Sequence, residues 1–137
     1  MINKELAVDE YFDDPVNTTM NNERCIELAL GLRYVEKVGR SNLTEVGAVM
    51  PHYGYCEHKI VDLFSEDCPA GVIENVDAEE CDFTGQDVLC LSTVEHIGKK
   101  DYDNPDIDAE KAIRILDKIT NEAKSFLVTW GTRYHNE

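Results

Sequence analysis

The sequence predicts an α/β protein: a Rossmann-like, open, mostly parallel sheet of about five strands with flanking helices. Three observations carry this expectation. Short apolar runs separated by turn residues recur along the chain, flanked by two segments of helical periodicity. One run, Asp87 to Ser92 (DVLCLS), is apolar almost throughout, the pattern of a strand covered on both faces. The strongest amphipathic segment, Asp106 to Lys124, lies between that run and the next, where parallel neighbours need a covered crossover.

The elements follow in order. Residues 1–20 are polar, carry Asp13-Asp14-Pro15 and Asn17-Thr18-Thr19, and read as a loose leader, so the domain is expected over 21–137. A helix begins at Asn21 or Asn22, either of which is a good cap. Ile26, Leu28, Ala29, Leu30, Leu32, Tyr34, Val35 and Val38 give it an apolar stripe, and Gly39 stops it. Asn42 to Val46 is the first strand, with a loop through Gly47, Pro51 and Gly54. Lys59 to Phe64 is the second and Gly71 to Val76 the third, divided by a loop holding Pro69. Asp87 to Ser92 is the fourth. Asp108 is placed to cap the following helix, whose buried stripe is Ala112, Ile113, Ile115, Leu116 and Ile119. Ser125 to Trp130 is the last strand.

Charge narrows the function classes. The 28 acidic and 13 basic residues give a net charge of −15, and the basic residues do not cluster. A phosphate backbone would be repelled by such a field, so nucleic acid is not an expected partner, although a chain this acidic is suited to mimic one. No run approaches the roughly 20 apolar residues that cross a bilayer, so no membrane partner is expected. Met1 to Asp14 holds five acidic residues and one lysine, unlike a signal peptide, and the reading is cytoplasmic. Five cysteines (Cys25, Cys56, Cys68, Cys81, Cys90) without Cys-x-x-Cys spacing agree with reduced, structural thiols. The acidic run Asp101, Asp103, Asp106, Asp108, Glu110 lacks the glycine that an EF-hand loop needs and reads as a solvated loop. Cys56-Glu57-His58 with His52 or Cys68 matches no standard zinc spacing.

In an open parallel sheet, ligands sit outside the carboxyl ends of the strands, where strand order reverses. The first strand ends in Glu45-Val46-Gly47, the second in Asp62, the third near Asn75 and Asp77, and the fourth in Ser92-Thr93-Val94-Glu95-His96. Acids and hydroxyls therefore gather on one rim, which suits a nucleoside with a cationic side group better than a phosphate-rich cofactor. Glu95 and His96 together offer a general base, against a reading in which His96 packs the strand-end loop.

This order, and above all the apolar fourth strand running into Glu95-His96, resembles the class I S-adenosylmethionine-dependent methyltransferases over roughly Asn21 to Tyr134. The resemblance implies that Glu45 and Gly47 line the methionine part of S-adenosylmethionine, that Asp62 holds the ribose hydroxyls and that Asp77 meets the adenine amino group. It puts Ser92, Thr93, Glu95 and His96 around the methyl-transfer site, with a small-molecule substrate as acceptor. Glu74, Asn75 and Glu79 compete with Asp77 for its role.

The chain departs from the family pattern in three ways. Only Gly47 stands in register with the family's glycine-rich first loop, the stretch from Asp62 to Asp77 is short, and the last two strands of the family are lacking. An exposed apolar final strand would result, and a homodimer through this C-terminal edge is the expected remedy. Two rival readings stand beside the enzyme: a catalytically silent relative that binds cofactor or protein, and an acidic interaction protein mimicking nucleic acid.

Overall fold

The structure, a computed structural model, describes residues 23–64, 73–100 and 107–131. The expected leader, the caps Asn21 and Asn22, Cys68, and Asp101, Asp103 and Asp106 of the acidic run lie outside the described residues.

Helix α1 (Glu23–Val38) precedes β1 (Leu43–Val46), β2 (Lys59–Val61), β3 (Ile73–Glu74) and β4 (Asp87–Leu91). Helix α2 (Lys111–Glu122) then crosses to β5 (Ser125–Thr129). Short 3-10 turns at Met50–Tyr53, Ala78–Glu80 and Val94–His96 follow β1, β3 and β4. The five strands form one sheet in the order β3-β2-β1-β4-β5, and every pairing is parallel. The chain winds outward from β1 to β3 and then returns to β1's other side with β4. Strand order therefore reverses between β1 and β4, the position at which an open sheet leaves a crevice.

The core explains why β4 is apolar throughout. Its alternate side chains serve two layers, as the two-residue period of a strand requires. Val88 and Cys90 pack with Val46, Val61, Phe83, Ile115 and Ile119. Leu89 and Leu91 pack with Leu28, Val35, Leu43 and Met50. With α2 on one face and α1 on the other, all five β4 residues are buried.

Several boundaries differ from the sequence expectation. Helix α2 begins at Lys111, five residues after Asp106, because Asp108 spends its carboxylate on a turn, accepting the Glu110 N–H at 3.1 Å. Its buried stripe narrows to Ile115 and Ile119, and Ile113 is 59% exposed. On α1 the buried face includes Glu27, an acid in the middle of an otherwise apolar side. The third strand pairs over only Ile73–Glu74 among the described residues. Ser92 is not strand but turn, with φ at +42°. No helix among the described residues is long and apolar enough to cross a membrane.

Candidate functional site

The carboxyl ends of the parallel strands form one rim, and every site residue expected from the sequence lies on or just past it. Their environments differ.

Glu45, on β1, is fully buried. Its Oε1 accepts the N–H groups of Val49 (3.0 Å) and Met50 (2.8 Å), and its Oε2 accepts from His58 Nε2 at 2.6 Å. A carboxylate with this set of donors is satisfied without a ligand, and it presents no surface to one. Its effect is to shape the turn after β1.

Asp62 works on the same turn from the end of β2. Its Oδ2 accepts the Ala48 N–H at 2.9 Å, and its Oδ1 accepts the Phe64 N–H at 3.0 Å. Three successive amides, from Ala48 to Met50, are thus held by two carboxylates. Asp62 remains partly exposed, so each oxygen keeps acceptor capacity toward solvent. Gly47 sits at φ +84°, a conformation open to glycine at little cost. Its N–H reaches the Val61 carbonyl at 2.9 Å, which couples the β1 turn to β2.

Asp77, past β3, is engaged elsewhere. Its Oδ1 accepts the Glu79 N–H at 3.0 Å, capping the following 3-10 turn, and its Oδ2 is ion-paired to Lys111. Arg114 joins the same seam, bridging Glu79 and Asp108. These pairs lash the first turns of α2 to the connection between β3 and β4. Beside the two carboxylates the Arg114 guanidinium is held above its ordinary value, and Asp108 lies below the usual carboxylate range through its hydrogen bond from Arg114.

The β4 end holds the densest polar group. Ser92 is the non-glycine residue with positive φ among the described residues, a conformation costing of order 1–3 kcal/mol that persists only when its surroundings enforce it. Here they do. Its N–H reaches the Thr129 carbonyl (3.1 Å) and Oγ1 (3.2 Å), and its hydroxyl donates to Glu27 Oε1. Thr129 Oγ1 donates to the same Glu27 oxygen at 3.0 Å, while Arg24 Nη1 lies 3.1 Å from Oε2. Thr93 folds back, donating its hydroxyl to the Leu91 carbonyl at 3.0 Å, and its side chain covers the bare Cα of Gly47. Glu95 is buried; its Oε1 accepts the Gly131 N–H at 3.0 Å, and its Oε2 has no hydrogen-bond partner among the described residues. His96 is half-buried, and its backbone N–H closes a turn onto the Thr93 carbonyl. Cys90 is no nucleophile: burial, with the nearby Glu45 and Glu95, pushes its thiol up to about 12.

Four contributors were not legible as site residues. Thr129 lies on the rim as the last residue of β5, and Arg24 and Glu27 reach it because α1 runs antiparallel to the strands and sets its first turns over the ends of β4 and β5. His58 stands at the start of β2, and its only sequence signal was the nearby cysteine. A separate cavity of about 220 Å³ opens between α1 and the β1–β2 connection, against Leu32, Val35, Met50, Tyr55 and His58. It contains none of the rim residues expected from the sequence except through His58's contact with Glu45.

Comparison with protein-family models, with curated proteins and with solved structures finds no match for this chain. Its chemistry therefore rests on the geometry of the rim.

Proposed function

We propose that this chain binds S-adenosylmethionine at the strand-end rim and serves a methyl transfer to a small-molecule oxygen or nitrogen nucleophile. One observation carries the reading. Asp62 ends the strand beside the reversal point, partly exposed, with each carboxylate oxygen oriented by one backbone N–H. A carboxylate so held suits the two hydroxyls of a ribose, and no phosphate would be welcome in a rim this acidic.

The residues fit the cofactor unevenly. Asp62 would hold the ribose, and the turn at Gly47 would lie beneath the methionine part. Glu45 supports that turn from behind. Asp77 meets the adenine only in competition with Lys111. When bound, S-adenosylmethionine supplies a sulfonium methyl group open to direct displacement. Ser92 and Thr93 would flank the acceptor. Removal of its proton would fall to His96, since Glu95 is buried.

A catalytically silent relative is the second reading, favoured by Thr93, whose side chain occupies the space beside Gly47 at the reversal point. A homodimer through β5 belongs to either reading: Phe126 and Trp130 are 45% and 57% exposed on and beside that edge strand.

Calorimetric titration of S-adenosylmethionine and S-adenosylhomocysteine tests the binding. Micromolar affinity, about −8 kcal/mol, is expected for the natural sequence. Asp62→Ala should abolish it, whereas Asp62→Asn, which keeps an acceptor for the turn, should still fold but bind weakly. No heat from a folded sample would sink the cofactor reading. Binding without transfer of a labelled methyl group to any acceptor tried would select the silent relative.

A further inference from the structure

The turn after β1 flanks the reversal point, and it is held by a chain of contacts that ends in His58. Val49 and Met50 N–H groups donate to Glu45 Oε1, and His58 Nε2 donates to Glu45 Oε2 at 2.6 Å. Both side chains of the pair are shut away from solvent, at 0% and 2% exposure. A buried polar pair is costly to desolvate, and two apolar residues of the same volume would often be no worse for stability. Such a replacement would take the carboxylate from both amides, leaving Val49 only the Gly47 carbonyl at 3.0 Å and Met50 without this acceptor, which a packed interior tolerates poorly.

We propose that His58 is a positioning residue for the cofactor: acting through Glu45, it fixes the Gly47–Met50 turn in the conformation that receives the ligand. The inference rests on the S-adenosylmethionine reading above and deepens it, since it assigns to the site a residue that does not touch the ligand. The geometry specifies what His58 must supply, a single N–H at the Nε2 position. Glutamine offers an N–H at a similar reach and leucine does not. The carboxylate's other oxygen then governs the turn. Without a donor on Oε2, Glu45 is free to rotate or to draw in water, and its grip on Val49 and Met50 loosens.

The experiment compares His58→Gln and His58→Leu with the natural sequence by calorimetry with S-adenosylhomocysteine and by amide hydrogen exchange. His58→Leu should weaken binding by roughly tenfold or more, the equivalent of about 1.4 kcal/mol, while His58→Gln stays within about threefold. The Val49 and Met50 amides should lose protection in His58→Leu, and those of Leu89 and Cys90 in β4 should not. Unchanged affinity in His58→Leu, or equal loss in both variants, overturns the proposal. Loss of protection extending through β4 does so too, since it marks an ordinary core residue. If the natural sequence binds neither nucleoside, the cofactor reading fails by itself. Exchange then still decides whether His58 holds the turn: a local loss at Val49 and Met50 assigns it that hold, and unchanged protection removes it.

Discussion

A Cβ on Gly47 would fall 2.0 Å from Thr93 Oγ1 and within 2.8 Å of the whole Thr93 side chain. The turns after β1 and β4 therefore interlock at the point where strand order reverses. Thr93 is branched at Cβ and is tied to the Leu91 carbonyl, so it has little freedom to yield. Gly47→Ala should cost about 3 kcal/mol or more in urea unfolding, joining the left-handed penalty to a steric one. Adding Thr93→Ala removes the Oγ1 and Cγ2 clashes but keeps the Cβ at 2.8 Å, so it should recover part of the steric loss and leave the backbone part. Equal loss in the single and double variants would show that Thr93 is not the obstacle.

Glu27 should matter more than a helical surface acid. It receives the Ser92 and Thr129 hydroxyls on one oxygen and faces Arg24 with the other. Replacing it by leucine strands those partners, with an expected loss of about 2–4 kcal/mol; glutamine, which keeps a carbonyl acceptor, should lose about half as much. Chemical denaturation of both variants measures this. An effect under about 0.5 kcal/mol for Glu27→Leu, ordinary for a solvated position, would remove Glu27 from the β4–β5 end cluster.

The contribution of Glu122 should depend on pH. Its carboxylate accepts from Lys118 Nζ at 2.9 Å and from the Phe83 N–H at 3.1 Å, and these hydrogen bonds hold it below the usual carboxylate range. A depressed folded value means that the group stabilises the fold above its unfolded value and that this support fades as pH falls through the folded one. Thermal melts of the natural sequence and Glu122→Gln should thus differ at pH 7 and converge in acid. A difference that persists unchanged in acid would trace the effect to packing.

Association through β5 has a direct test. Phe126 is 45% exposed on the edge strand and belongs to neither core cluster, so Phe126→Lys should leave the core intact while placing a charge beside any strand added there. Light scattering should give a dimer for the natural sequence and a monomer for the variant at equal helix and strand content. A monomer in both cases would retire the homodimer expectation.

Much of the architecture was legible in the residues. The unbroken run Val88 to Leu91 required cover on both faces, and the helical period of the segment ending at Glu122 supplied half of that cover. Strands of this kind with a helix between them run parallel, so which ends carry Gly47, Asp62 and Ser92 followed from chain direction alone. Strand order did not follow, because it depends on which neighbours find each other across the sheet. The role of each rim acid was equally hidden. Glu45, Asp62 and Asp77 are all acids just at or past a strand end, yet one is buried under a turn, one stays partly open and one is neutralised by Lys111. A carboxylate's task is set by the donors that reach it, and here those come from residues 2 to 34 positions away. Sequence alone determined the layers, the direction of the strands and the rim on which polar groups collect, since these depend on local period and polarity. Tertiary structure decided that α1 returns Arg24 and Glu27 to that rim, that Thr93 closes on Gly47, and that His58 stands behind Glu45. Each of those is a contact between distant segments, and burial, not residue type, determines what it does.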